Sequence, residues 1–348
     1  MRTLATKQTG FSLVEVLAGL LIGLVTVVVI FQVLVLSEGY KRNATGTSEA
    51  VENGVVSMFL LERDIRQGGA GLDRNRFGDF INAADGATRS FDFTLAPVLI
   101  APGAGNAADT ITVVYANSTA NGDIKKVASP GMANAGDAVT LTSSYGFNNS
   151  DLFIIAAAGV NGSLGQVTNI VANTLNHIDT GSGIRYNEDG FPVAYSKDAS
   201  VMNLGPVNAA SAPGLNQWGV TNNRLTVIRH LLSGNADTIA DNVITVKAQY
   251  GLDTNSDNVV DTFALNAAAA NGLPAGATFQ NVRAIRLAVV TRVGAREKTN
   301  VSPASLKLWP DSTTAPITTG PTINLVGDER NFRYRVFTAT VPLRNVIW

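Results

Sequence analysis

The chain has 348 residues, of which 15% are charged, with a formal net charge of -1 and no cysteine. So balanced a composition lacks the basic footprint that phosphate contacts require and argues against nucleic acid as a partner. Without thiols there are no disulfides, thiolate metal centres or cysteine nucleophiles, so a domain exported across a membrane would depend on its core for stability.

At the amino terminus a short polar segment with Arg2 and Lys7 leads into Gly10 and Phe11. From Phe11 to Leu36 the only ionisable side chain is Glu15. At about 1.5 Å per residue a helix over this stretch reaches ~39 Å, more than a bilayer core of roughly 30 Å requires. The apolar run is too long for a secretory signal and has no small-x-small ending, so it reads as retained. Lys41 and Arg42 beyond it balance Arg2 and Lys7, and charge asymmetry does not set an orientation. A carboxylate among aliphatic residues costs ~2.5–3.5 kcal/mol at a membrane centre and less near its edge. Glu15 therefore either snorkels to the headgroups or has a partner.

From Ser48 to Arg66 the chain reads as amphipathic helix. Val51, Val55, Met58, Phe59 and Ile65 recur at spacings of three and four, which predicts an apolar stripe lying on a sheet, with Glu52, Glu62, Arg63 and Arg66 turned mainly outward. Gly68-Gly69-Ala70-Gly71 ends the element. A single helix from Phe11 to about Gln67 is expected, with Gly46 and Gly54 as bend points.

Residues 73–105 read as irregular. Strands are expected over 110–115, 138–143, 152–157 and 166–172, separated by Gly, Asn and Asp turns. Residues 173–217 read as a loop-rich insertion. Strand character returns over 224–232, 242–250, 282–293 and 331–341, where Val, Ile, Thr and Tyr are frequent and partial alternation suggests a sheet with one solvated face. Residues 267–278 and 303–321 read as loops.

The stretch Asp253-Thr254-Asn255-Ser256-Asp257-Asn258-Val259-Val260-Asp261 is the candidate metal site. Oxygen side chains at the first, third and fifth positions (Asp253, Asn255, Asp257), a carbonyl at the seventh (Val259) and Asp261 at the ninth match the first part of a calcium loop. Asn258 replaces the usual glycine at the sixth position, and Ala264 stands where a bidentate glutamate would close the set. A polar hairpin without metal is the competing reading. Catalytic constellations are scarce. His177 near Asp179 reads as a loop pair, and His230 as a structural residue in a strand. The glycines of 103–108 do not sit between a strand and a helix as a dinucleotide site requires. Ser163 lacks nucleophile-elbow spacing and reads as a turn residue.

The leader, Gly10, Phe11 and Glu15 together closely resemble the class III signal of type IV pilins and pseudopilins. Leu61 to Leu72, with its arginines and glycine turn, and the closing Arg333 to Asn345 with its Leu-Arg-Asn end resemble PilW-type minor pilins. The resemblance implies an α+β fold, in which a long N-terminal helix, half transmembrane and half amphipathic, packs on an antiparallel sheet with large loop insertions. It divides the chain into a prepilin leader (1–10), a transmembrane and assembly segment (11–36), an amphipathic helical segment (37–67) and a β-rich pilin domain (68–348).

It further implies cleavage by prepilin peptidase between Gly10 and Phe11, N-methylation of Phe11, and pairing of Glu15 with the amino terminus of a neighbouring subunit. The implied partners are other minor and major pilins, the inner-membrane assembly platform and a tip adhesin. The implied location is the inner membrane, with a cytoplasmic amino terminus, and then the pilus, where the chain would help prime assembly and link tip to fibre. A minor pseudopilin of a type II secretion system is the alternative, and a membrane-tethered extracellular enzyme or sugar-binding module a remote one.

Overall fold

The computed structural model describes residue 10 and residues 12–347, apart from 86–88, 119–122, 178–185, 187–189, 209–211 and 319. Its main feature is helix α1, Leu13–Gln67, 55 residues without a proline. That length corresponds to about 80 Å. Residues 12–42 are exposed throughout, and from Gly46 onward one face is buried.

The buried face is Gly46, Ala50, Gly54, Ser57, Met58, Leu61, Asp64 and Ile65. These positions repeat every three or four residues, as a helix lying on a sheet demands. The predicted stripe therefore holds at Met58 and Ile65 but not at Val51, Val55 and Phe59, which are 40%, 53% and 64% exposed. Small residues take the sheet side because the backbones approach closely there. A Cβ on Gly54 would collide with the Phe337 ring, and one on Gly46 would lie 2.8 Å from Val293 Cγ1. The two glycines thus act as contact points in an unbroken helix, not as the expected bends. Thr291 Oγ1 donates to the Ala50 carbonyl at 2.9 Å along the same seam.

Two five-stranded sheets receive α1. One has the spatial order Ile317–Thr318, Thr262–Ala264, Val243–Leu252, Val282–Arg292 and Tyr334–Pro342, antiparallel except for its first pair. The other, wholly antiparallel, runs Ala236–Asp241, Arg224–Arg229, Gly214–Thr221, Thr110–Tyr115 and Val98–Ala101. Leu61 and Ile65 of α1 are fully buried in the core they share with Ile111, Leu225, Val246 and Ile285. Each contributes roughly 1.5–3 kcal/mol by leaving water. A six-stranded sheet built around Asp151–Ala157, Val160–Gln166 and Ser200–Pro206 carries a second cluster centred on Phe153, Ile155, Tyr195 and Val201.

The α+β architecture with a long N-terminal helix is thus present. Within it the loop-rich insertion expected over 173–217 also holds strands: Thr174–Asn176, Ser200–Pro206 and the start of Gly214–Thr221, the second buried over six of its seven residues. With successive side chains on both faces buried, this strand has no solvated face, so the alternating pattern is missing there. The region 303–321 holds the short strands Ser305–Lys307 and Ile317–Thr318 within its loop. Five short strands lie within 80–101, where irregular chain is expected.

Candidate functional site: an exposed helix and the network that seats it

The first half of α1 has an 18-residue window with a mean hydropathy of 2.8, none of it buried. It is the one helix among the described residues long and apolar enough to cross a membrane. Gly10 is exposed, Phe11 lies outside the described residues, and Glu15 sits exposed in the first turn, where its N–H donates to the Ser12 carbonyl at 3.0 Å. A carboxylate there faces the positive end of the helix dipole, a favourable position for a negative charge. Within the apolar run the Thr26 hydroxyl is satisfied by the Ile22 carbonyl at 2.8 Å, so it leaves no polar group bare.

The second half is fixed by Asp64, which is only 3% exposed. Its carboxylate accepts from Trp218 Nε1 at 2.7 Å, from Asn216 Nδ2 at 3.0 and 3.1 Å, and from the Tyr115 hydroxyl at 3.1 Å. Three neutral donors from two neighbouring strands thus converge on one helical carboxylate, which charge-assisted bonding strengthens. Burial, with the Asp64 charge second, pushes the Tyr115 phenol well above its ordinary range and keeps it a donor. At the end of the helix, Asn345 Nδ2 lies 3.2–3.3 Å from the carbonyls of Arg66, Gln67 and Gly68. Helix C-termini leave such carbonyls without partners, so the Leu-Arg-Asn tail acts as a side-chain cap. Asp64 escapes a sequence reading because Arg63 and Arg66 make the segment look like an exposed charged face. Its phase with Leu61 and Ile65 is the available signal.

The acidic loop is closed on itself. Asp253 is fully buried: Oδ1 accepts from Ser256 N at 2.6 Å, while Oδ2 accepts from Asn258 N at 3.0 Å and lies 2.8 Å from Arg283 Nη2. Asn255 Oδ1 accepts from Asp257 N at 3.0 Å, Asp257 Oδ1 from Val259 N at 2.8 Å, and Asp261 Oδ2 from both the N–H and the hydroxyl of Thr254 at 2.8 Å. Burial raises the Asp253 carboxyl, but the N–H groups of Asn258 and Ser256 and the Arg283 guanidinium outweigh it and hold the group below the usual carboxylate range. Asp261 is lowered by the two bonds from Thr254. Asp253, Asn255, Asp257, Val259 and Asp261 are thus brought into one loop. The side-chain oxygens of Asp253, Asn255, Asp257 and Asp261 each accept a loop N–H, and Asp253 Oδ2 also faces the Arg283 guanidinium. Among the described residues no group of three His, Cys, Asp or Glu side chains is placed to hold a metal ion.

His177 is buried, stacked on Phe191 at 4.0 Å, with Nε2 2.9 Å from the Asp137 carbonyl; Asp179 lies outside the described residues. Desolvation lowers its pKa. His230 Nε2 lies 2.9 Å from Gln217 Oε1, and its pKa is lowered by burial and by the Arg89 charge. Ser163 is a correction: it is buried in the Val160–Gln166 strand, 2.8 Å from the Tyr195 hydroxyl, and is not a turn residue. Burial pushes that tyrosine up to about 12. Gly103 belongs to the mouth of a cavity of about 510 Å³, reaching from Pro102 to Phe263 and Ile317. Its buried cation, Lys247, is held by Asp109 Oδ1 and the Gly103 carbonyl, each at 2.9 Å.

No curated protein matches the chain. A solved type IV-like pilin from Thermus thermophilus is 12% identical, covering 58% of this chain and 87% of that one, with a TM-score of 0.23, too low for the superposition to define the fold. Residues 209–345, which include most of the strands that receive α1, though not Thr110–Tyr115 or Val98–Ala101, and the tail that caps it, match the family model described as Type IV Pilus-assembly protein W. Over its C-terminal region the chain is therefore similar to the PilW type of pilus-assembly proteins.

Proposed function

We propose that the chain is a minor pilin of a type IV pilus, made as a single-pass inner-membrane precursor with its amino terminus in the cytoplasm and then drawn into the fibre. The observation that supports this best is the continuity of α1. An apolar half with no buried side chain runs without a break into a half seated largely on strands in a region similar to a pilus-assembly family. About 20 apolar residues suffice for an anchor. A rigid rod joined to the domain core also transmits the position of the domain to whatever packs on its exposed half.

Residues 1–10 are the leader. Prepilin peptidase cuts between Gly10 and Phe11, and the new amino group of Phe11 is methylated. Glu15 then lies in the first turns of a helix whose neighbours are all apolar. In a fibre core its charge needs a positive partner, since an unpaired charge removed from water is strongly unfavourable. The amino terminus of the adjacent subunit supplies it, and the pair sets the axial register. The partners are other minor and major pilins and the inner-membrane assembly platform, with a tip adhesin at the distal end, and the role is to help prime assembly and link tip to fibre. The protein is structural: Lys247 and both histidines are engaged in packing and hydrogen bonds.

Mechanical shearing of cells that express Glu15→Ala tests the reading. The variant is expected to reach the membrane at the wild-type level and to be depleted from sheared fibres. Recovery in fibres equal to wild type would overturn the register role.

A further inference from the structure

The loop 253–261 has calcium-like spacing in sequence, yet in three dimensions a side chain from another strand stands beside its first carboxylate. Arg283, in the Val282–Arg292 strand, is itself only 6% exposed. One guanidinium nitrogen, Nη2, lies 2.8 Å from Asp253 Oδ2, and the other, Nη1, donates to the Gln280 carbonyl at 2.6 Å. Its backbone carbonyl accepts from Leu343 N at 2.8 Å, so the same residue also fixes the chain just before the tail that caps α1. Ser256 and Asn258 take φ of 67° and 66° to aim their N–H groups at Asp253. The loop ends are tied independently, Asp253 N to the Asn281 carbonyl at 3.0 Å and Asp261 N to the Leu252 carbonyl at 2.9 Å.

We propose that Arg283 is the built-in cation of this loop: its guanidinium neutralises Asp253 in the place where a calcium loop would use metal, and the loop is closed without calcium. A buried carboxylate must be paired, and the fork of an arginine does this permanently, whereas a hydrated divalent ion does it only when bound. A second positive charge beside the guanidinium would be repelled at the short range where solvent screens least. The low charge of the remaining set, with Asn258 in place of a glycine and no carboxylate at Ala264, agrees with a loop that no longer depends on metal. This inference is independent of the pilus reading.

Thermal unfolding of the full-length protein in detergent, with millimolar calcium or with chelator, is the test. Wild type should melt at the same temperature in both, and calcium titration calorimetry should register no binding heat. Arg283→Gln should melt lower by roughly 5–15 °C, because it leaves Asp253 buried and unpaired. Adding Asp253→Asn to that variant should recover part of the loss, since both charges are then gone. A calcium-specific rise in the wild-type melting temperature, or an Arg283→Gln protein as stable as wild type in chelator, would overturn the proposal. If the single variant does not fold, the wild-type calorimetry decides alone: measurable binding overturns the proposal and its absence supports it.

Discussion

Trp218, Asn216 and the half-buried Tyr115 surround Asp64, so removing its carboxylate would leave the Trp218 N–H without an acceptor, Asn216 with only the Tyr115 hydroxyl, and that hydroxyl without its own acceptor. Each orphaned group costs about 1–3 kcal/mol, so Asp64→Ala is expected to destabilise by ~3–5 kcal/mol in denaturant titrations, and Asp64→Asn by less. Burial also gives His177 a testable pH signature. Its folded pKa is depressed below 6.5, so its contribution to stability is complete above the unfolded value and declines as pH falls below it. The melting temperature should drop between pH 7 and 5, and His177→Gln should flatten part of that slope; an unchanged slope would assign the loss elsewhere. At this scale the sequence is legible where helical spacing decides, as at Met58 and Ile65, which are buried as expected. Asp64 and Arg283 are not legible, because their partners lie 51 to 154 residues away for the first and 30 residues away for the second, across a strand pair.

The elements follow the same division. Helix α1 can be read from its length and its freedom from proline, but its buried face only in part: hydrophobicity finds Met58 and Ile65 yet also selects the exposed Val51, Val55 and Phe59, while the sheet takes Gly46, Ala50, Gly54 and Ser57 for their size. Gly54→Leu should therefore unseat the helix from Phe337, whereas Val55→Leu should be nearly neutral in thermal melts. The Tyr334–Pro342 strand forms an edge of its sheet, paired only with Val282–Arg292. Bonds at both ends of that pair, Val293 N to Arg333 O and Leu343 N to Arg283 O, set the alternation, so odd-numbered residues bond inward and Thr338 points its N–H outward. Proline at Thr338 should accordingly be tolerated, while proline at Ala339 removes a ladder bond and should cost ~2–4 kcal/mol. Equal losses at the two positions would contradict the register. The Ser200–Pro206 strand escapes sequence reading because it is buried on both faces and follows a long polar stretch.

For the whole molecule, a 55-residue helix joins two environments: an exposed apolar half and a half seated by glycine contacts, the Asp64 network and the Asn345 cap. Most of the strands that grip the seated half, and the tail that caps it, lie within the region similar to the PilW family, while Tyr115, which bonds Asp64, comes from a strand before it. The sequence carries the exposed apolar half plainly because its signal is a continuous run of residues, whereas the seat is assembled from distant strands. The most direct test of the central claim is mass spectrometry of the chain recovered from sheared fibres. The expected mature protein begins at Phe11 and carries one added methyl group on its amino terminus. A fibre-free protein that retains Met1 to Gly10, with an unmodified amino terminus, would contradict it.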